Sequence, residues 1–196
     1  MTGRALPSTD RRYEWYSHEA LKAQVESGNE PAEAGEIGRE WSELAGALRD
    51  AGDAITGMSG ESEQAWTGQG GDALRRVLAS AAGWSREVAA VSQTLGDAVG
   101  SQAEAAARAR AEMPEPVPYE PGDLIRSAVA AGDIGALAGL SGMLSAMREE
   151  SEAARQRAID VLYARDAALR EAVPPSSFSA PPPLTSGSAQ GGPVPR

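Results

Sequence analysis

From Ile37 to Met58 the apolar residues Ile37, Trp41, Leu44, Leu48, Ala51, Ile55 and Met58 recur at alternating steps of four and three. That spacing is the a/d seam of a helix packed lengthwise on another. Leu74, Val77, Ala81, Trp84, Val88, Val91, Leu95 and Ala98 repeat the alternation, and no proline interrupts it before Pro114. Between the two arms lies the glycine-rich stretch Gly57 to Gly71, which contains Trp66-Thr67-Gly68. Two such arms bury their seams only by folding back on each other or by meeting a partner. The pattern therefore predicts a long helical hairpin with Gly57 to Gly71 as its bend. In such a bend a bulky indole caps the hairpin end, or else plugs the protein's own core, while the glycine supplies a positive φ.

Residues 1–12 read as a flexible leader. Tyr13, Tyr16, Leu21 and Val25 suggest a short amphipathic helix between Arg11 and Ser27. Ser17 is a candidate N-cap, without the capping box that Glu or Gln at Ala20 would complete. Gly28-Asn29-Glu30-Pro31 breaks this helix. The first arm then runs from about Pro31 to Met58, and the second from Glu61 or Glu63 to Glu112, roughly 70 to 75 Å at 1.5 Å per residue. Four prolines make Met113 to Gly122 an extended connector. A short helix through Leu124, Ile125, Ala128 and Val129 precedes a break at Gly132-Asp133. An apolar, glycine-dotted link from Ile134 to Leu140 leads into a last helix, from about Ser141 to Val173. The Pro-, Ser- and Gly-rich residues 174–196 read as a disordered or polyproline-like tail or linker, leaving 13–173 as the helical domain.

Composition narrows what such a chain can do. A length of 196 residues with 41% hydrophobic content supports one sizeable core. Aromatics are only 5%, with a single Phe, which favours slender, closely packed helices. The absence of cysteine excludes disulfides and thiolate metal sites. A formal charge of -10 opposes binding to nucleic acid or anionic membrane, and the doublets Arg11-Arg12 and Arg75-Arg76 have acidic neighbours. No apolar run reaches the roughly 18 to 20 residues of a membrane-spanning helix, and Met1 to Arg12 lacks the apolar core of a secretory signal. Departure from the cytoplasm would need another export route.

Candidate chemistry is sparse. His18, the single histidine, reads as a surface or capping residue, and no Ser-His-Asp set is apparent. Gly68-Gln69-Gly70-Gly71 lacks the lysine of a phosphate-binding loop and does not follow a strand. No segment alternates with β-period. The expected fold is therefore all-α: an elongated antiparallel hairpin with a W-x-G bend, a short helix and a last long helix. No enzymatic activity, cofactor or metal is expected. Apolar stripes that one hairpin cannot cover are the remaining signal, and they imply a partner unless the last helix covers them internally.

The order of these features is Trp66-Thr67-Gly68 at the bend, a long second arm, a proline-rich connector, a short helix, a final helix and a proline tail. Over roughly Tyr13 to Pro183 this resembles the PPE-type relatives of the WXG family, substrates of type VII secretion in actinobacteria. Near the N-terminus, where that family carries its Pro-Pro-Glu, this chain reads Tyr13-Glu14-Trp15-Tyr16-Ser17-His18-Glu19. The resemblance implies pairing with a small PE-like or WXG-like helical hairpin in a four-helix bundle, with Trp41, Leu48, Trp84, Val88 and Leu95 as partner-binding residues. It implies that Trp66 and Gly68 form the export motif read by the secretion motor, beside a Y-x-x-x-[DE] signal supplied by the partner. The chain's own match, Tyr119-Glu120-Pro121-Gly122-Asp123, lies in the connector, where a helical signal does not form. It further implies an apolar tip contacting a type VII export chaperone through Leu137 and Leu140, and secretion to the surface or medium from a cytoplasmic pool. The other readings are a cytosolic, self-associating coiled-coil-like adaptor and an N-terminal targeting module of a larger toxin or effector.

Overall fold

The computed structural model describes residues 11–28, 30–131, 134–173 and 177–183. They are all-α, with no strand among them: a 3₁₀ turn at Tyr13–Trp15, then α1 (His18–Glu26), α2 (Pro31–Ala65), α3 (Gln69–Glu112), α4 (Pro121–Ala131) and α5 (Ile134–Glu171). The leader residues 1–10 and the expected break at Gly132-Asp133 lie outside the described residues.

Helix ends follow local chemistry. Ser17 caps α1, its hydroxyl accepting from the Ala20 amide at 3.3 Å, and Gly28 leaves the helix with φ 67°. Pro31 and Pro121 each open a helix at its first position, where the missing N–H costs nothing. Three boundaries differ from the sequence expectation. The second arm begins at Gln69 and not at Glu61 or Glu63, which belong to the first arm. The first arm continues past Met58 to Ala65, so Gly57 and Gly60 are helical, since a single glycine costs only about 1 kcal/mol in a helix. The apolar link Ile134 to Leu140 is likewise the opening of α5 and not an irregular tip.

The chain divides into two compact units, Met1–Gly35 with Ser101–Val173, and Glu36–Gly100 with Pro174–Arg196. In the first, Tyr13, Leu21 and Val25 pack with Ala109 and Met113 and with Ala158, Ile159 and Leu162 of α5. Polar latches surround this core. The Tyr13 hydroxyl donates to Asp166 at 2.6 Å, and Arg165 donates to that same hydroxyl at 3.2 Å. Burial first, then the hydrogen bond to Asp166 and its charge, push the Tyr13 phenol up to about 12. His18, expected as a surface or capping residue, is buried, and its Nε2 is 3.0 Å from the Pro114 carbonyl. Lys22 pairs with Glu115 at 2.6 Å, so two residues of α1 hold the start of the connector.

The second unit is built on antiparallel stretches of α2 and α3. A β-carbon on Gly38 would lie 3.0 Å from the Gly96 carbonyl and the Gly100 amide, and one on Gly52 would lie 3.3 Å from the Ala82 carbonyl. The fully buried line of this hairpin is Gly38, Ala45 and Gly52 against Ala82, Ser85, Ala89, Ser92 and Gly96. Small residues let the two backbones come almost into contact, and dispersion over a long, close approach replaces interdigitated large side chains. The seam of large apolar residues expected from the sequence does not close this hairpin.

Candidate docking face and the Trp66 bend

The bend is three residues long. α2 ends at Ala65 and α3 begins at Gln69, so Trp66-Thr67-Gly68 makes the whole reversal. The Trp66 amide still donates to the Ser62 carbonyl at 2.9 Å, and the Gly68 carbonyl accepts from the Asp72 amide at 3.1 Å. Between them the chain turns through Gly68 at φ 89°, a left-handed conformation that strains any residue with a β-carbon. A β-carbon at Gly71 would lie 2.4 Å from the Trp66 carbonyl oxygen, so the turn closes only with glycine there. Arg75 donates to that oxygen at 3.0 Å and pairs with Asp72 at 2.5 Å. These contacts hold the Trp66 backbone while its side chain stands 60% exposed. Trp66 does not plug the core of its own chain. It is a large amphipathic ring on a fixed turn, the kind of group that anchors protein contacts.

The second feature is the stripe of large apolar side chains. Trp41, Leu48, Trp84, Val88 and Leu95 are all half-buried, while Ile37, Leu44 and Met58 are exposed. Most of them stand one position before the small ones, 37, 41 and 44 before 38, 42 and 45, and 84, 88, 91 and 95 before 85, 89, 92 and 96, whereas Leu48 precedes the exposed Arg49. One position is a rotation of about 100° around a helix. Because the helices are antiparallel, that rotation turns both stripes toward the same side of the hairpin. Trp41 and Trp84 accordingly meet one segment of chain: the Phe178 ring stacks on Trp41 at 6.1 Å and 24°, and the Trp84 indole N–H donates to the Ser179 carbonyl at 3.0 Å. The unit thus presents one face that is apolar along both helices and only partly covered.

The structure brings Trp41, Leu48, Trp84, Val88 and Leu95 together on that face, and Trp66 and Gly68 into the bend. Leu140 is half-buried within α5; the Leu137 side chain lies outside what the structure describes. The small-residue seam escaped the sequence reading, although it has the same three-four alternation one position further on. Phe178 also escaped it, and its signal was its being the single Phe in an otherwise Pro- and Ser-rich segment. Residues 174–176 and 184–196 of the expected tail lie outside the described residues; 177–183 has no regular secondary structure.

Among the described residues no group of three or more His, Asp or Glu side chains could hold a metal ion. No helix among them is long and apolar enough to cross a membrane. Compared with models of known protein families and with curated proteins, the chain matches none.

Proposed function

We propose that this chain is a PPE-like protein of a type VII secretion route, a binding protein and not an enzyme. In this reading it pairs through the α2–α3 face with a small PE-like or WXG-like helical hairpin and leaves the cell with it as a heterodimer. The observation that carries the reading is Trp66, 60% exposed on a three-residue turn, on the same hairpin as an apolar face that stays partly open. An amphipathic hairpin laid along that face would bury Ile37 and Leu44, which are 48% and 44% exposed, at roughly 25 cal/mol for each Å² of apolar surface removed from water.

Trp66 and Gly68 then supply one half of a composite surface for the secretion motor, and the partner's tyrosine signal supplies the other. An export chaperone takes the start of α5 around Leu137 and Leu140 while the pair waits in the cytoplasm.

The test is Trp66→Ala, co-expressed with a small PE-like or WXG-like helical hairpin that forms a 1:1 complex with the wild-type chain. A 60% exposed ring loses far less on truncation than the roughly 3–5 kcal/mol of a buried aromatic. The 1:1 complex should therefore assemble and melt near the wild-type temperature, while the ratio of protein in culture filtrate to lysate collapses. Normal secretion of the variant would refute the composite signal. A homodimer in place of the 1:1 complex would favour the self-associating adaptor.

A further inference from the structure

The segment 177–183, Ser-Phe-Ser-Ala-Pro-Pro-Pro, touches the apolar face at its two tryptophans, one from each helix of the hairpin. The contact has two parts of different chemistry. Phe178 lies nearly parallel to Trp41, which gives stacking and area. Trp84 donates its indole N–H to the Ser179 carbonyl, which fixes the register of the segment's backbone. Aromatic-lined grooves take proline-rich chains, whose extended backbone is already ordered before it binds; here Phe178 and Ser179 make the contacts, just ahead of Pro181-Pro182-Pro183.

The contact is also shallow. Phe178 stays 47% exposed, and Ile37 and Leu44 on the same stripe are not covered. The Ser179 hydroxyl is buried in it with no hydrogen-bond partner among the described residues, a cost that the segment carries when docked and sheds when it leaves.

We propose that 177–183 is a displaceable cover: a proline-rich ligand held in cis on the Trp41–Trp84 site, which must leave before another chain packs on this face. The proposal stands apart from the export reading, because it requires neither the partner nor secretion. A tethered segment sees its site at an effective concentration on the order of 1 mM. If the same segment binds in trans with a Kd of about 0.1 mM, the face is closed about ten to one, and any competitor loses about tenfold in apparent affinity.

The probe is a fluorescently labelled peptide of sequence Ser-Phe-Ser-Ala-Pro-Pro-Pro, titrated by polarisation against the full chain. Phe178→Asp places a charge against the Trp41 ring and releases the cis copy, so the peptide should bind this variant about tenfold more tightly than wild type. Adding Trp84→Phe removes the indole donor and should weaken the peptide again, with far-UV circular dichroism unchanged. Equal peptide affinity for wild type and Phe178→Asp, or no saturable binding to either, overturns the proposal. Loss of helical signal in Phe178→Asp also overturns it, since the segment would then be a structural part of the unit and not a cover.

Discussion

Gly96 tests the account of how the hairpin is closed, because the same substitution has opposite signs at two positions of one helix. In a helix interior alanine is favoured over glycine by about 0.8–1 kcal/mol. Gly83 is exposed, and a β-carbon there meets nothing within 4 Å. Gly83→Ala should therefore stabilise by about that amount. A β-carbon on Gly96 would lie 2.6 Å from the Ser42 hydroxyl, 2.8 Å from the Gly38 carbonyl and 3.1 Å from the Ser42 amide. Two of those three atoms belong to the α2 backbone, which yields only if the helices separate. Overpacking of this kind costs about 1–3 kcal/mol. Gly96→Ala should thus run from neutral to about 2 kcal/mol destabilised, and the gap between the two variants should equal the overpacking cost itself. For a chain of this size each kcal/mol moves the melting temperature by about 2–4 °C, so the variants should differ by about 2–12 °C. Thermal and urea unfolding followed by circular dichroism would measure it. If both variants melt together above wild type, the backbones of α2 and α3 do not approach as described.

Ser92 is fully buried in the same seam, and its hydroxyl has no hydrogen-bond partner among the described residues. Ser92→Ala should raise stability by about 1 kcal/mol, because an unsatisfied buried hydroxyl is removed and helix propensity improves; a lower urea midpoint would mean that the hydroxyl is in fact bonded. Tyr13→Phe should cost about 1.5–3 kcal/mol near neutral pH, through loss of a hydrogen bond to a charged acceptor. Because the folded protein raises the phenol from 10.0 to about 12, the stabilisation is fully present below pH 10 and is lost as pH rises through 12. The stability difference between wild type and Tyr13→Phe should accordingly narrow from neutral pH to about pH 11; a constant difference would show that the hydroxyl is not held by Asp166 as the structure has it.

The sequence by itself makes legible the all-α class, two long helices and a reversal somewhere within Gly57 to Gly71, but not the reduction of that reversal to Trp66-Thr67-Gly68. Helical period, the proline at Pro31 and Pro121, and glycine at the turn act within a few residues, and local forces suffice to express them. Which periodic set closes the hairpin was beyond its reach. Large and small residues obey the same alternation one position apart, and the choice is made by how near two backbones come, a quantity that exists only when both helices are present. Gly38 and Gly96 permit a near approach, so the small set is buried, and Trp41, Leu48, Trp84, Val88 and Leu95 turn to the side. The burial of His18 is hidden from the sequence for a related reason: its partner, the Pro114 carbonyl, stands ninety-six residues along the chain. Phe178 likewise gains a role from a distant surface, since a lone aromatic among prolines has no local structure to reveal it until Trp41 is beside it. Each of these points depends on a contact between segments that sequence pattern describes separately, so it is fixed only when the segments meet.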